Sequence, residues 1–465
     1  MTERPAFNMR FIWGTTLVSA MGGLLFGYDW VVIGGAKPFY EKFFNLTTPA
    51  QVGWAMSSAL VGCLLGALVS GGLSDRFGRK KLLILAGFLF TISAVWTGLA
   101  PDFTVFVVFR LVGGVGIGLA SNLSPMYIAE LSPAAMRGKF VSLNQLTIVI
   151  GILAAQLTNW LIAEPVPAGA APADILASWN GQAGWRWMFG AEAVPALLFF
   201  LLMFLVPESP RWLVKNGRAA EAETVLGRVG GAHFARQALG EIRETLAAGE
   251  IGKVHFRSLL GPGMAKVLVV GVVLAVYQQW CGINVIFYYA EEIFTAAGYG
   301  VSDVLFNIVI TGTVNLIFTL IAIRLVDRLG RKPLMVAGSA GLAVVFGLIG
   351  ASYALHSRGV HLLALVVIAL ALYAMSLAPV TWVLLSEIFP NRIRGAAMSV
   401  SVFSLWSACF VLTYSFPLLN KGLGPAGTFW IYAAISVFGL IFIKSRVRET
   451  KGKTLEQIEQ ELVGG

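Results

Sequence analysis

Three ionisable residues interrupt long apolar stretches of this chain: Asp29, Arg110 and Glu192. Charge inside hydrocarbon is costly and marks function by default. Counting along helices at 1.5 Å per residue puts all three roughly 9–10 Å below the same membrane face, so they can meet. Arginine keeps its proton, whereas a carboxylate beside it can accept one. A proton on Asp29 would cancel its attraction for Arg110 and free the arginine to move, which is the chemistry of proton coupling. A static structural ion pair is the alternative, and it weighs most for Glu192.

A second set is uncharged. The stretch Gln278-Gln279-Trp280-Cys281-Gly282-Ile283-Asn284 puts three amides in an apolar run, with Tyr288 and Tyr289 following at its edge. The polar positions span too wide an arc for one helical stripe, and Gly282 offers a place to bend. Asn315 falls near the middle of the next run, Asn144 and Gln145 enter an earlier one, and Trp382 follows Pro379. Amides donate and accept at once, which suits a neutral, hydroxyl-rich solute, and a Trp face suits its ring. A single amide can also merely join helices. No nucleophile–base pair, phosphate loop or metal set accompanies them. His233, His255, His356 and His361 lie in gaps or at a run's edge, and Cys63, Cys281 and Cys409 are scattered in apolar runs. No catalytic residue, metal or cofactor is expected.

The elements that position these residues are membrane spans. Only 12% of the 465 residues are charged and 57% are hydrophobic. A soluble chain carries about 25% charged residues, so a soluble cytosolic enzyme is excluded. Apolar runs fall near 11–35, 52–73, 82–100, 103–124, 139–163, 186–206, 266–295, 303–325, 333–355, 361–386, 395–419 and 427–444, twelve in all. The first is too long for a cleavable signal and reads as a retained span. Of the 34 Lys and Arg, 28 fall in the termini and even-numbered gaps and 4 in the odd-numbered gaps. The positive-inside rule therefore puts both termini in the cytoplasm. The net charge of +10 sits between apolar runs, which points to lipid and not to nucleic acid. The gap from Pro207 to about Ala265 mixes Arg, Glu, Ala and Leu and predicts short amphipathic helices. Glycine pairs such as Gly62 and Gly66 predict close helix packing.

The two halves repeat. Asp75-Arg76-Phe77-Gly78-Arg79-Lys80 returns as Asp327-Arg328-Leu329-Gly330-Arg331-Lys332; Glu130 with Arg137-Gly138 returns as Glu387 with Arg394-Gly395; Glu208-Ser209 returns as Glu449-Thr450. Basic loops follow from topology alone, but the paired acids and glycines do not. A duplicated six-helix unit is expected, with a site between the halves and rocking of one against the other. Asp75, Glu130, Asp327 and Glu387 can meet Arg79, Arg137, Arg331 and Arg394. With Glu208 and Glu449 they form a candidate ion-pair latch at the cytoplasmic ends. Exposed pairs are weak singly, so only a network biases a conformational equilibrium.

With these motifs in hand, the chain resembles the sugar porter family of the major facilitator superfamily along essentially its whole length. The resemblance rests on Gly71-x-x-x-Asp75-Arg76-x-Gly78-Arg79-Lys80, Pro207-Glu208-Ser209-Pro210-Arg211-Trp212-Leu213, Gln278-Gln279-x-x-Gly282-Ile283-Asn284 and the Glu–Arg-Gly pairs. Ser124-Pro125-Met126-Tyr127-Ile128-Ala129-Glu130 is similar to bacterial pentose and hexose proton symporters. The resemblance implies that Gln145, Gln278, Gln279, Asn284, Asn315 and Trp382 bind the sugar and that Asp29 couples protons with Arg110 and Glu192; Tyr288 and Tyr289, near the outer edge, are candidate gating residues. Trp30, Ile152, Ala378, Leu405 and Cys409 depart from the family pattern, which implies a less polar second-half pocket and leaves a hexose, a deoxy sugar or a pentose open as the substrate.

The expectation is thus an all-α membrane protein of twelve transmembrane helices in two six-helix bundles, with cytoplasmic amphipathic helices. Its parts are 1–206, a linker at 207–265, 266–444 and a tail at 445–465. The expected function is proton-coupled monosaccharide symport by a monomer in a bacterial inner membrane. The alternatives are a facilitative uniporter and a non-transporting sugar receptor.

Overall fold

The computed structural model describes residues 7–133, 136–167, 170–250, 261, 264–357, 359–389, 394–453 and 457; of these, the side chains at 247–250, 327, 394 and 395 are excluded. His255 and the side chains of Asp327 and Arg394 therefore lie outside the described residues.

In hydrocarbon, a spanning segment must satisfy its own backbone, and long apolar runs do so as helices. The spans are α1 (Met9–Phe43), α2 (Pro49–Phe77), α3 (Arg79–Gly98), α4 (Phe103–Leu131), α5 (Arg137–Ile162) and, after the short α6 (Pro172–Ala177), α7 (Asn180–Leu202). Two surface helices follow, α8 (Pro210–Lys215) and α9 (Ala219–Glu250). The second half runs through α10 (Met264–Tyr288), the short α11 (Ala290–Ala296), α12 (Val301–Leu329), α13 (Arg331–Ala354), α14 (Val360–Ile388) and α15 (Arg394–Arg446). Eleven of these are long and apolar enough to cross a membrane. The last, α15, is two passes broken at Gly424, whose φ is 68° and which Pro425 follows. The described residues thus hold twelve passes, as the hydropathy pattern predicts. The expected amphipathic linker is α8 and α9, with non-helical backbone at Gly230 and Gly231.

Breaks in three spans matter for function. In α7 a turn at 191–192 separates Trp185–Gly190 from Ala193–Leu202 and puts Glu192 at the start of the second piece. In α10 the helix stops at Trp280 and restarts at Ile283, with Gly282 at φ 96°. In α14 Ser376 interrupts the helix after Met375. The sequence repeat is visible at two hinges: Gly78 and Gly330 have φ of 95° and 96° and turn α2 into α3 and α12 into α13.

The chain forms two compact units. One holds residues 1–29, 62–151 and 190–253; the other holds 30–61, 152–189 and 254–465. Compactness thus divides the chain differently from the sequence repeat. In the first unit α3 packs on α4 and on the end of α7. A Cβ on Gly62 would strike the Leu111 carbonyl and one on Gly118 the Cys63 carbonyl, so α2 and α4 touch through bare backbone, as the glycine pattern predicts. The N-terminal segment is pinned to α9: the Asn8 N–H donates to the Val229 carbonyl at 2.8 Å, and Arg228 lies over the Phe11 ring.

In the second unit, parts of α1, α2 and α5 pack among the second-half helices. Gly34 faces the Phe287 carbonyl and Gly53 the Tyr414 carbonyl, each with no room for a Cβ. Gln156 lies over Gly312, and Asn159 lies over Gly35 and donates to the Val32 carbonyl at 2.9 Å. The Val166 N–H donates to Ser302 Oγ at 2.9 Å. The last of these contacts lies at the start of α12, the end opposite the Gly330 hinge.

Gly118→Val tests the backbone contact of α2 and α4. Overpacking costs about 1–3 kcal/mol. The purified variant is expected to melt several degrees below the parent, and an unchanged melting temperature would show that the two helices separate freely.

Candidate functional site

The first unit contains the charged set. Asp29 on α1 and Arg110 on α4 form an ion pair through Oδ1 and Nη1, and Arg110 Nη2 also donates to the Asp29 carbonyl at 3.3 Å. The two side chains are 2% and 3% exposed. Glu192 is equally buried and lies within electrostatic reach of both. Asp29 Oδ2 and Glu192 Oε1 have no hydrogen-bond partner among the described residues. Gly113 makes room for Asp29: a Cβ there would sit 2.9 Å from Oδ2. The three residues that share a depth in the sequence thus lie together in the structure. One carboxylate is paired with the guanidinium and a second lies within its electrostatic reach, and each keeps an oxygen to which a proton could be added.

The second unit contains the amides. Gln278, Gln279 and Asn284 are buried. Gln279 Nε2 donates to Gln278 Oε1 at 2.8 Å, Asn284 Nδ2 donates to Gln279 Oε1, and Gln278 Nε2 reaches the Ala378 carbonyl at 3.5 Å. The break at Gly282 lets Asn284 turn back toward Gln279; a straight helix would hold them apart by five residues of rise and rotation. Gly282 cannot carry a side chain, because its Cβ would meet the Tyr432 ring at 2.7 Å. The two candidate gating tyrosines have different surroundings. Tyr288 stacks on Trp30 at 6.1 Å between centroids, and Trp30 also meets Trp406 at 5.5 Å. Tyr289 is anchored, donating to the Thr413 carbonyl at 2.6 Å and packing on Phe416. Asn315 is buried on α12, whereas Trp382 is 36% exposed. Gln145 belongs to the first unit, so the candidate sugar ligands divide between the units.

The repeated motifs make two copies of one network. In the first unit Arg79 holds Glu130 through Nε and Nη2 at 3.0 Å each and Asp75 at 3.5 Å, while Ser209 Oγ donates to Glu130. Glu208 Oε1 accepts the N–H groups of Arg79, Lys80 and Ser209 at 3.0, 3.1 and 2.8 Å. In the second unit Arg331 Nη2 holds Glu387 at 3.0 Å and Thr450 Oγ1 donates to Glu387 at 2.5 Å. Glu449 accepts the N–H groups of Arg331 and Lys332 at 3.0 and 2.9 Å. Glu208 and Glu449 thus serve as anions at the N-termini of α3 and α13, where orphan N–H groups and the helix dipole favour negative charge. They belong to the expected latch through main-chain N–H groups. Arg137 differs from the expected pairing: it is exposed and donates from Nε to the Ala129 carbonyl, because Arg79 and Ser209 already occupy both oxygens of Glu130. The described contacts of each network fall within one unit.

Glu449 is partly buried, which raises a carboxyl, but the N–H groups of Lys451, Arg331, Lys332 and Thr450 hold it below the ordinary range. A carboxylate held low stabilises the fold above its unfolded value and loses that contribution as pH falls through its folded value.

Sequence reading missed several buried polar residues. Asn307, Thr311 and Thr319, which recur every four residues on α12 with the already singled-out Asn315, are buried. Their i, i+4 spacing was the available signal. Gln156 and Asn159 on α5 are buried as well. Lys37 was counted only as a charge in a gap; it is a buried ammonium on α1.

A twelve-pass helical protein with a buried ion pair in one unit and buried amides in the other is a membrane transporter in design. Comparison agrees. The description Sugar (and other) transporter matches residues 15–462. The D-xylose-proton symporter of Escherichia coli (strain K12) is 41% identical over 485 aligned residues, covering 97% of this chain and 96% of that one. The arabinose-proton symporter of Bacillus subtilis (strain 168) is 38% identical, covering 97% and 95%. A solved structure of the xylose transporter XylE from E. coli, partially occluded and inward open, is similar with a TM-score of 0.83 at 38% identity, over 96% of this chain and all of that one. The chain belongs to the sugar transporter family and has the major facilitator fold; its relatives are transporters, not enzymes.

Glu449→Gln removes the charge that the four N–H groups hold. At neutral pH the variant is expected to melt below the parent, and the gap should narrow as pH falls below the ordinary carboxylate range and through the lower folded value of Glu449. A gap that stays constant throughout that fall would mean that the carboxylate's charge contributes nothing.

Proposed function

We propose that this chain is a proton-coupled monosaccharide symporter that works by alternating access, with a pentose as its substrate. The observation that carries the reading is the buried Asp29–Arg110 pair with Glu192 beside it. A uniporter has no use for a second buried carboxylate beside an ion pair inside hydrocarbon, whereas a symporter needs a group that takes a proton there. The symport named for the relatives supports the same reading.

The mechanism follows from the residues. A proton on Asp29 removes its charge and releases Arg110, which then turns to Glu192. The helices that carry them, α1, α4 and α7, are thereby free to shift. Gln278, Gln279 and Asn284 satisfy one another when no sugar is present. Sugar hydroxyls replace those bonds, with Gln145 and Asn315 adding amides and Trp382 a flat apolar face. Trp30, stacked with Tyr288 and Trp406, adds bulk where the sugar would enter, and Cys409 and Leu405 add apolar surface, which favours a pentose over a hexose. The repeats at 1–206 and 266–444 rock about the site, while the Arg79 and Arg331 networks keep the helices of each repeat together. The end bearing those networks faces the cytoplasm with both termini, by the excess of Lys and Arg there. The membrane is a bacterial inner membrane and the working unit a monomer.

Uptake of labelled D-xylose, L-arabinose and D-glucose into proteoliposomes, with and without an inward proton gradient, tests the reading. A pentose accumulated only under the gradient is the expected result. Equilibration regardless of the gradient would make the protein a uniporter and the ion pair structural. Asp29→Asn is expected to abolish accumulation and to leave counterflow; loss of both would remove Asp29 from the coupling role. Gln279→Ala leaves a sugar hydroxyl unpaired and should weaken binding by roughly 1–3 kcal/mol in a titration.

A further inference from the structure

At the helix ends opposite the arginine networks, Lys37 on α1 is 3% exposed and is surrounded by carboxylates. Its Nζ donates to Glu41 at 2.6 Å, to Glu291 at 2.9 Å and to Glu292 at 2.7 Å. Glu41 is one turn along α1, whereas Glu291 and Glu292 open α11, more than 250 residues away in sequence. A cleft of about 370 Å³, lined also by Lys42, Asn45 and Leu46, opens onto the group. Lys42 faces the cleft and donates to the Pro38 carbonyl. Tyr40 and Tyr289, the nearest phenols, are bonded to Met56 and to the Thr413 carbonyl. Arg186, the next cation, stacks on Phe43 and Trp185.

The charge count does not close. Three carboxylates face two ammonium groups, and one carboxylate is in excess. Like charges crowded on one ammonium cannot all stay ionised at no cost. Glu292 is the one poorly served: its Oε1 touches Lys37, and its Oε2 is buried with no hydrogen-bond partner among the described residues.

We infer that Lys37, Glu41, Glu291 and Glu292 form a proton-linked latch of the outer gate, in which the excess carboxylate takes up an external proton as α11 closes on α1. This proton is distinct from the one on Asp29. It rests on the rocking reading above, which makes this end the outer one.

The sign follows from the environment. Burial, with Glu291 and Glu41 adding to it against the pull of Lys37, pushes the Glu292 carboxyl up to about 7. Burial acts on Glu291 too, but Lys37 and Lys42 hold it below its ordinary value. In an opened gate Glu292 returns to water and to the ordinary carboxylate range. The closed gate therefore binds a proton that the open gate releases, between the ordinary carboxylate value and about 7. Falling external pH through that window favours closure. Acid outside thus promotes the step that seals a loaded carrier from the outside, which is the direction symport needs.

The test is a distance measurement on the full chain with its three cysteines replaced by alanine. Spin labels go on Thr47→Cys and Thr295→Cys, both exposed at this end. From about pH 8 to pH 5.5 the short-distance population is expected to grow, by up to about tenfold per pH unit for one proton. Glu292→Gln, of the same shape and permanently neutral, should hold that population high and flat, and Asp29→Asn should keep the pH response. A response that survives Glu292→Gln, runs in the opposite direction or vanishes with Asp29→Asn overturns the latch. D-xylose added at fixed pH separates the two readings. Labels moved by the sugar but not by pH would sink the latch alone, and labels moved by neither would sink rocking and the latch together.

Discussion

Hydrocarbon penalises every ionic or hydrogen-bonding group that lacks a partner, and the functional features of this protein are answers to that constraint. The backbone answers with helices. Asp29 and Arg110 answer with each other. Gln278, Gln279 and Asn284 answer by bonding among themselves, which requires the helix to break at Gly282 and Asn284 to fold back. Each solution forms without ligand, though Asp29 Oδ2 is left without a partner among the described residues, and each is made of groups that can exchange one partner for another. A carboxylate can trade arginine for a proton, and an amide can trade an amide for a hydroxyl. Exchange of this kind costs little net free energy, because bonds are replaced and not lost.

The two arginine networks show the opposite character. Their members are held by several partners at once: Glu130 by Arg79 and Ser209, Glu387 by Arg331 and Thr450. A group bonded from several sides does not exchange readily. The chain thus keeps its rigid joints at one end of the helices and its exchangeable groups within the membrane. Duplication explains why the joints occur twice with the same residues, whereas the ion pair and the amides occur once each.

The fold was legible because its signals are local. Apolar runs, the charge imbalance between gaps and the paired motifs are all read along the chain. Asp29, Arg110 and Glu192 were found because each breaks an apolar run at the same depth. Lys37 was not, because α1 continues to Phe43 and the carboxylates of α11 lie far off in sequence. Gln156 was missed because what makes room for it, Gly312, is on another helix. The pairing of Arg137 was misjudged because the sequence shows which residues can meet Glu130 but not which of them fills its oxygens first. The contact division of the chain, crossing α1, α2 and α5, has no local signal either.

The way Glu208 and Glu449 are bound has an evolutionary consequence. Their partners at the start of α3 and of α13 are main-chain N–H groups, and any residue except proline supplies one. The acid is therefore constrained, while the side chain at Lys80 or Lys332 contributes nothing to the bond that its own backbone makes. Such a joint can be kept intact through long sequence drift on one side of it. Two halves that diverged after duplication can thus retain one joint in common while the chemistry within their spans comes to differ completely.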